Sequence, residues 1–264
     1  MLDANAPLIR LAIFWGGLAL FLLLELAIPY RRPSVSKLKR WLTNLGMTAL
    51  NSVILAVVFG AAILATSRYV TEHKLGALNQ VDLPYWLKLV IAVAFLDFML
   101  YIWHLLNHEV PLLWRFHRVH HTDLNMDVST ATRFHIGELT ISAPIKISLI
   151  YLIGADPVTV IVFEAGLVLS AQFHHSSLRT PRGFEKAFWL LFVPPSMHRI
   201  HHSVKIKERN TNYGTIFSLW DRLMGTMVKD VDQAGIRIGV GGHFEEKKLG
   251  LGNLLVMPFT PYVK

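Results

Sequence analysis

The stretch LDFMLYIWHLLNHEVPLLWRFHRVHH, Leu96 to His121, joins the end of an apolar run to a cluster of histidines. On a helix, residues three and four apart share a face, so His104 and His108 point the same way, and His117, His120 and His121 can point into one small volume. A near-copy of the second cluster, His198-Arg199-Ile200-His201-His202, repeats the H-R-x-H-H of His117-Arg118-Val119-His120-His121. Eight of the chain's 13 histidines fall in these three blocks. A lone histidine is ordinarily a satisfied core or surface residue; a repeated block is not explained that way. Imidazole binds zinc, iron, copper or nickel, and eight imidazoles exceed what one four-coordinate metal uses. Two metals close together are the economical reading.

Working upstream, Pro84 opens the apolar run at about 85–107, which ends on His104 and His108. Asp97 lies inside it, and Asp97, Tyr101, His104 and His108 share one helix face. An ionisable residue at that depth is a functional expectation by default. The preferred role is a carboxylate accepting the far N–H of a metal-binding histidine; a helix–helix hydrogen bond is the alternative. Two earlier runs, 8–28 and about 45–67, are also long enough to cross a bilayer, the first interrupted by Arg10 and Glu25. The first lacks the short core and small-x-small site of a cleaved leader and is read as a retained span. Arg31, Arg32, Lys37, Lys39 and Arg40 follow it, which places that loop in the cytoplasm. The segment Arg68 to Asp82 then falls on the opposite side, and the third run returns the chain to the cytoplasmic side.

Downstream, two apolar arms, 139–153 and 158–172, flank Gly154-Ala155-Asp156-Pro157, a strong turn signal. As two compact spans or as a hairpin dipping into the membrane, they return the chain to the side it left. His174, His175 and the second H-R-x-H-H therefore face the same side as the first. The aromatic segment Phe184 to Phe192 is too short to span and is expected along the interface or over the site. From Ser203 onward the chain reads as polar and glycine-rich.

Composition agrees. The 264 residues are 53% hydrophobic and 17% charged, with a mean hydropathy of +0.41, too apolar for an ordinary soluble domain. The net charge of +8 speaks to membrane topology before nucleic acid. The absence of cysteine excludes disulfides, Cys-ligated zinc, a cluster held by this chain and a thiolate nucleophile. The expected fold is all-α: a polytopic helical membrane protein with a cytosolic helical cap holding a histidine-rich dimetal site. Its parts are expected to be residues 1–107, about three spans; 108–226, the catalytic region with the membrane hairpin 139–172; and 227–264, a polar tail.

These residues resemble the fatty acid hydroxylase superfamily, also called the sterol desaturase family. The likeness runs from Asp97 to Thr226 through His104-x3-His108, His117-x2-His120-His121, Arg133-x-His135-x2-Glu138, His175-Ser176-Ser177-x-Arg179, His198-x2-His201-His202, and Asn212-Tyr213-Gly214 leading to Trp220-Asp221-x3-Gly225-Thr226. It implies two iron ions, with zinc able to take their place in purified protein, and O2-dependent hydroxylation or desaturation of a lipid C–H bond. The ligands implied are His104, His108, His117, His120, His121, His175, His198, His201 and His202. Asp97, Glu109 and Glu138 could supply carboxylates to the metals or to the histidines that hold them. Glu109 after His108, with the nine-residue step to His117, is similar to the alkylglycerol monooxygenase branch, which cleaves ether lipids with a reduced pterin. Ile136 stands where the family often has proline, so His135 is read as structural. His175 is preferred over His174 as the ninth ligand, and His73 and His243 are read as surface residues. Asn212 to Gly214 and Trp220-Asp221 are expected to floor the second cluster by packing.

The implied partners are a lipid substrate entering from the bilayer, O2, and a separate electron-donor protein or diffusible reductant. No H-P-G-G haem element and no Gly-rich dinucleotide fingerprint occurs in this sequence. The implied setting is a multi-pass protein of a bacterial inner membrane or an endoplasmic reticulum membrane, histidines on the cytoplasmic side. A histidine-rich metal transporter would string ligands along a path near the midplane. A zinc-dependent lipid hydrolase would place a glutamate as in H-E-x-x-H, and it has no use for eight imidazoles; the same excess disfavours a bis-histidine haem protein.

Overall fold

The computed structural model describes residues 5–60 and 62–261, and among them every regular element is helical, with three isolated β-bridges. Five helices are long and apolar enough to cross a membrane: α1 (Ala6–Ala27), α2 (Lys37–Phe59), α4 (Tyr85–Glu109), α6 (Ile136–Ile153) and α7 (Pro157–His175). Between them, α3 (Ala62–Glu72) follows α2, and α5 (Pro111–His121) follows α4. The outward faces of the long helices are apolar, with Leu8, Leu11, Val53, Val57, Leu152 and Val162 exposed. Such surfaces suit lipid, where helices satisfy their own backbone groups.

The second apolar run is not one straight span. Polar residues of α2 face a loop above the membrane helices: Asn44 Nδ2 donates to Ser129 Oγ at 2.9 Å and Asn51 Nδ2 to the Phe134 carbonyl at 2.8 Å. The first half of α2 therefore lies beside the segment 123–134, at the histidine end of the molecule. The chain breaks at Gly60, whose φ of +43° suits glycine, and α3 carries on against α6 and α7.

The turn between α6 and α7 is built as the sequence signals. Gly154 ends α6 in the left-handed region with φ of +79°. A Cβ there would lie 2.7 Å from the Leu75 carbonyl oxygen, so no larger residue fits. Asp156 then caps α7, accepting from Val158 N at 2.9 Å and Thr159 N at 3.2 Å. The membrane core lies among these helices, with Leu96, Ile150, Val160 and Phe163 buried together.

Above the histidine end sits a cap of short helices: α5, α8 (Arg182–Phe188), α9 (Pro195–His201), α10 (Ile206–Arg209), α11 (Leu219–Leu223) and α12 (Leu251–Val256). Pro111 and Pro195 open α5 and α9 at the position where a missing N–H costs nothing. The aromatic segment packs on the end of α7, where Phe188 lies 5.2 Å from Phe173 between ring centroids, and leaves Leu190 and Leu191 exposed. The tail is less polar than its composition suggests. Leu249, Leu254 and Met257 bury against Met47 and Val119, so the tail forms an outer wall of the cap behind α5.

Candidate metal centre

The tight bend at Val110, between α4 and α5, folds the face of His104 and His108 onto the last turn of α5. α9 and the end of α7 approach from the other side, and all nine expected ligands come together in two adjacent groups. His104, His108, His117, His121 and His201 form one; His120, His175, His198 and His202 form the other. Within each group the ligand atoms lie within 4.8 Å of one another. The groups abut, with the His121 and His202 rings stacked at 4.4 Å.

Each H-R-x-H-H block is divided between the two groups. His117 and His121, four apart, go to the first group and His120 to the second. His198 and His202 go to the second and His201 to the first. The repeated block is thus the sign of a reciprocal exchange: each short helix gives its i, i+4 pair to one group and its i+3 residue to the other.

The outer nitrogens show which atoms face inward. His104 Nδ1 donates to the Tyr213 carbonyl at 2.7 Å, His201 Nδ1 to the Thr211 carbonyl at 2.8 Å and His175 Nδ1 to the Ala171 carbonyl at 2.7 Å. A carbonyl only accepts, so Nδ1 carries the proton and Nε2 keeps its lone pair. His117 Nδ1 meets Glu138 Oε1 at 3.0 Å, the carboxylate–histidine arrangement common behind metal ligands.

The residues fit metal ions. Among the described residues, the buried Nε2 atoms of His104, His108 and His201 have no hydrogen-bond partner. Four pairs of Nε2 atoms face each other at 2.9–3.2 Å: His121 and His117, His175 and His120, His198 and His175, His202 and His198. Neighbouring nitrogens at right angles around an ion, each ~2.1 Å from it, would stand about 3.0 Å apart. Burial first, and the neighbouring imidazoles second, push His120, His121, His198, His201 and His202 well below the ordinary imidazole value. They are therefore neutral at pH 7, the state that coordinates metal.

The carboxylates divide differently from the sequence expectation. Glu138 holds a histidine, but Asp97 does not. Asp97 Oδ1 accepts from Ile216 N at 3.2 Å, and Oδ2 from Phe217 N at 3.1 Å and Trp220 Nε1 at 2.8 Å. It anchors the cap loop to α4. The physical reason is the helical rise: His104 is seven residues on, about 10 Å along the axis, beyond side-chain reach. Glu109 is exposed and meets Asn210 Nδ2 at 3.4 Å and Tyr213 Oη at 3.5 Å; among the described residues no hydrogen bond joins it to a histidine. Asp221, pushed up to about 6 by burial, accepts from Tyr213 N and Gly214 N, each at 2.7 Å. It fixes the carbonyl that orients His104.

His135 uses both ring nitrogens structurally, accepting from Gly137 N at 2.9 Å and meeting the Leu255 carbonyl at 3.1 Å. His174 lies outside both groups, although its ring is 3.9 Å from that of His198. His73 and His243 join neither group; His243 is half-buried, not fully exposed. Sequence reasoning missed Asn210, whose Oδ1 is 3.4 Å from His108 Nδ1, and a buried support under α5. There Arg133 donates to the Val119 carbonyl at 3.0 Å and to Thr122 Oγ1 at 3.1 Å. Burial alone would raise Asp123 in the same support, but the Arg40 guanidinium outweighs it and holds that carboxyl below the usual range.

Glu138→Gln keeps the shape and removes the charge behind His117. The expected result is roughly 10–100-fold weaker metal retention, measured by challenge with a chelator. Unchanged retention would mean that Glu138 is merely a neighbour.

An apolar cavity of about 310 Å³ leads away from the nitrogens between α4, α6 and α7. Leu100, Trp103, Leu139 and Leu167 line its walls, and His120, His174 and His175 close its inner end.

Known proteins give this arrangement a context. An ornithine lipid hydroxylase of Rhizobium tropici is 30% identical over 177 residues, 67% of this chain and 52% of the relative. Human cholesterol 25-hydroxylase is 25% identical over 53% of this chain and 50% of its own. Alkylglycerol monooxygenase of Danio rerio is 29% identical over 53% of this chain and 31% of its own. The chain thus spans about half the length, or less, of these curated relatives. No solved structure matches it significantly. The fatty acid hydroxylase family model matches residues 89–226, the span that carries all nine histidines of the two groups, and the chain belongs to that family.

Proposed function

We propose that this protein is a membrane-bound di-iron oxygenase that inserts oxygen into, or desaturates, a lipid C–H bond. The observation that supports this most is the pairing of two histidine groups with the inner end of an apolar cavity between membrane helices. Hydroxylation consumes O2, two electrons and two protons per C–H bond and releases water. Iron, when bound, supplies the redox chemistry with O2 that side-chain acids and bases lack, and zinc does not.

The chain's own residues do the rest. The carbonyls of Tyr213, Thr211 and Ala171 hold protons on the outer nitrogens of His104, His201 and His175, so that the Nε2 lone pairs of these histidines would be free to hold metal ions. Glu138 offsets positive charge behind His117. The apolar walls exclude water and align an acyl or sterol chain. The electrons come from a separate donor protein or a diffusible reductant. The relatives act, by their names, on ornithine lipids, cholesterol and alkylglycerols at 25–30% identity. Their identities do not single out the ether-lipid branch or its reduced pterin. A transporter is disfavoured because the ligands form two compact groups at one end of the cavity.

Metal analysis of protein purified without chelator or added zinc tests the reading. About two irons per chain, with turnover that requires O2 and a reductant, is the expected result. One tightly held zinc with O2-independent turnover would sink it. Comparing lipid extracts from cells with and without the protein then identifies the substrate.

A further inference from the structure

Apart from Glu138 near the histidines, one charged side chain stands in the wall of the apolar cavity. Lys146 of α6 lines it, and its Nζ stands 3.4 Å from Glu164 Oε1 of α7. The other oxygen of Glu164 pairs with Arg10 Nη2 of α1 at 2.5 Å. One carboxylate therefore serves two cations, and the cluster carries a formal charge of +1. The side chains of Arg10 and Lys146 are 35% and 30% exposed, that of Glu164 14%. Charge inside membrane helices is expensive and marks function by default. One carboxylate neutralises only one of the two cations it touches, so the cluster keeps an excess positive charge.

Position adds to this. Glu164 precedes His175 by eleven residues, about 16 Å along α7, and Lys146 precedes the end of α6 by seven, about 10 Å. The cluster thus lies near the middle of α6, away from the histidines and about 10 Å inside the α6–α7 turn, a distance that a lysine can shorten by extending its stem toward that interface. A lipid of the leaflet on that side would bring its headgroup to this depth and its chain up the cavity to the nitrogens.

We infer that Lys146, held by the Glu164 carboxylate that it shares with Arg10, binds the anionic headgroup of the substrate. This rests on reading the cavity as the substrate site of an oxygenase. The consequence is a substrate class: a long-chain amphiphile with a carboxylate or phosphate head, oxidised far from that head.

The test measures binding of tritiated palmitate to full-length protein in nanodiscs, competed by palmitate, methyl palmitate and palmitoyl lysophosphatidylglycerol. Palmitate is expected to bind about tenfold or more tightly than its uncharged ester. Lys146→Met should abolish that preference with ester binding unchanged, Lys146→Arg should keep it, and Glu164→Gln, which frees both cations, should strengthen it. Competition by palmitate alone assigns a free acid, and competition by the lysophospholipid a phosphate head. Equal binding of acid and ester overturns the inference. So does loss of both ligands alike in Lys146→Met and Glu164→Gln, which would show a helix tie only. Iron content of the same samples reports separately on the oxygenase reading. About two irons per chain without carboxylate preference defeats the headgroup site alone, and carboxylate preference without iron defeats the oxygenase alone.

Discussion

His202→Ala is expected to abolish product and to strip bound metal more completely than His201→Ala, although both residues sit in the same H-R-x-H-H block. His202 belongs to the group of four, and its loss leaves His120, His175 and His198. His201 belongs to the group of five, and its loss leaves four nitrogens. The first group then keeps four imidazoles for an ion and the second only three, so the second loses the larger share of its ligands. Changes behind the ligands alone typically lower activity or affinity roughly 10–100-fold, so loss of a ligand should exceed about 100-fold in both variants. Metal retention after chelator challenge should separate them, with His202→Ala weaker. His243→Ala, outside both groups, is the control and should retain metal and turnover. Identical behaviour of all three variants would defeat the ligand assignment.

The division of each histidine block explains why the site was only partly legible in the sequence. Periodicity is local, so the shared faces of His104 with His108 and of the residues within each block follow from spacing. The exchange between blocks depends on how α5 and α9 meet, which no local pattern carries. Asp97 shows the same limit. Its burial in an apolar run signals importance, but its partners, Ile216, Phe217 and Trp220, lie more than a hundred residues away. The carbonyls of Thr211 and Tyr213 are invisible because every residue has one.

The fold was legible to a similar degree. The apolar runs at 8–28 and 85–107 correspond to α1 and α4, and Gly154-Ala155-Asp156-Pro157 is the turn between α6 and α7. The run at 45–67 is instead shared by α2 and α3, broken at Gly60, because Arg40, Asn44 and Asn51 draw the start of α2 up beside the cap. Hydropathy averages over a window and does not register which face a polar residue occupies. That local polarity is also where the cap gains its firmest support.

Arg40→Met is expected to destabilise the protein by about 3–5 kcal/mol, the range for breaking a buried ion pair from one side. Arg40 Nη2 donates to Asp123 Oδ2 at 2.8 Å and Nη1 to Asp127 Oδ2 at 2.7 Å, and Nε donates to the other oxygen of Asp123. All three residues are buried, with Arg40 6% exposed, so solvent does little to screen the pair. Methionine fills much of the same space, so the main penalty is two buried carboxylates that have lost their principal counter-charge, with only Arg133 acting on Asp123. Asp127 also caps the short turn Val128–Thr132, accepting from Ser129 N at 2.9 Å. The damage should therefore spread along 122–133, which follows His121 directly and includes Arg133. Denaturant unfolding in detergent would measure the loss, and Arg40→Met with Asp123→Asn should recover part of it, because residues in one network are not additive. A loss below about 1 kcal/mol, the range of exposed pairs, would show that water reaches the network and that the α2–cap contact is not what holds the first histidine block in place.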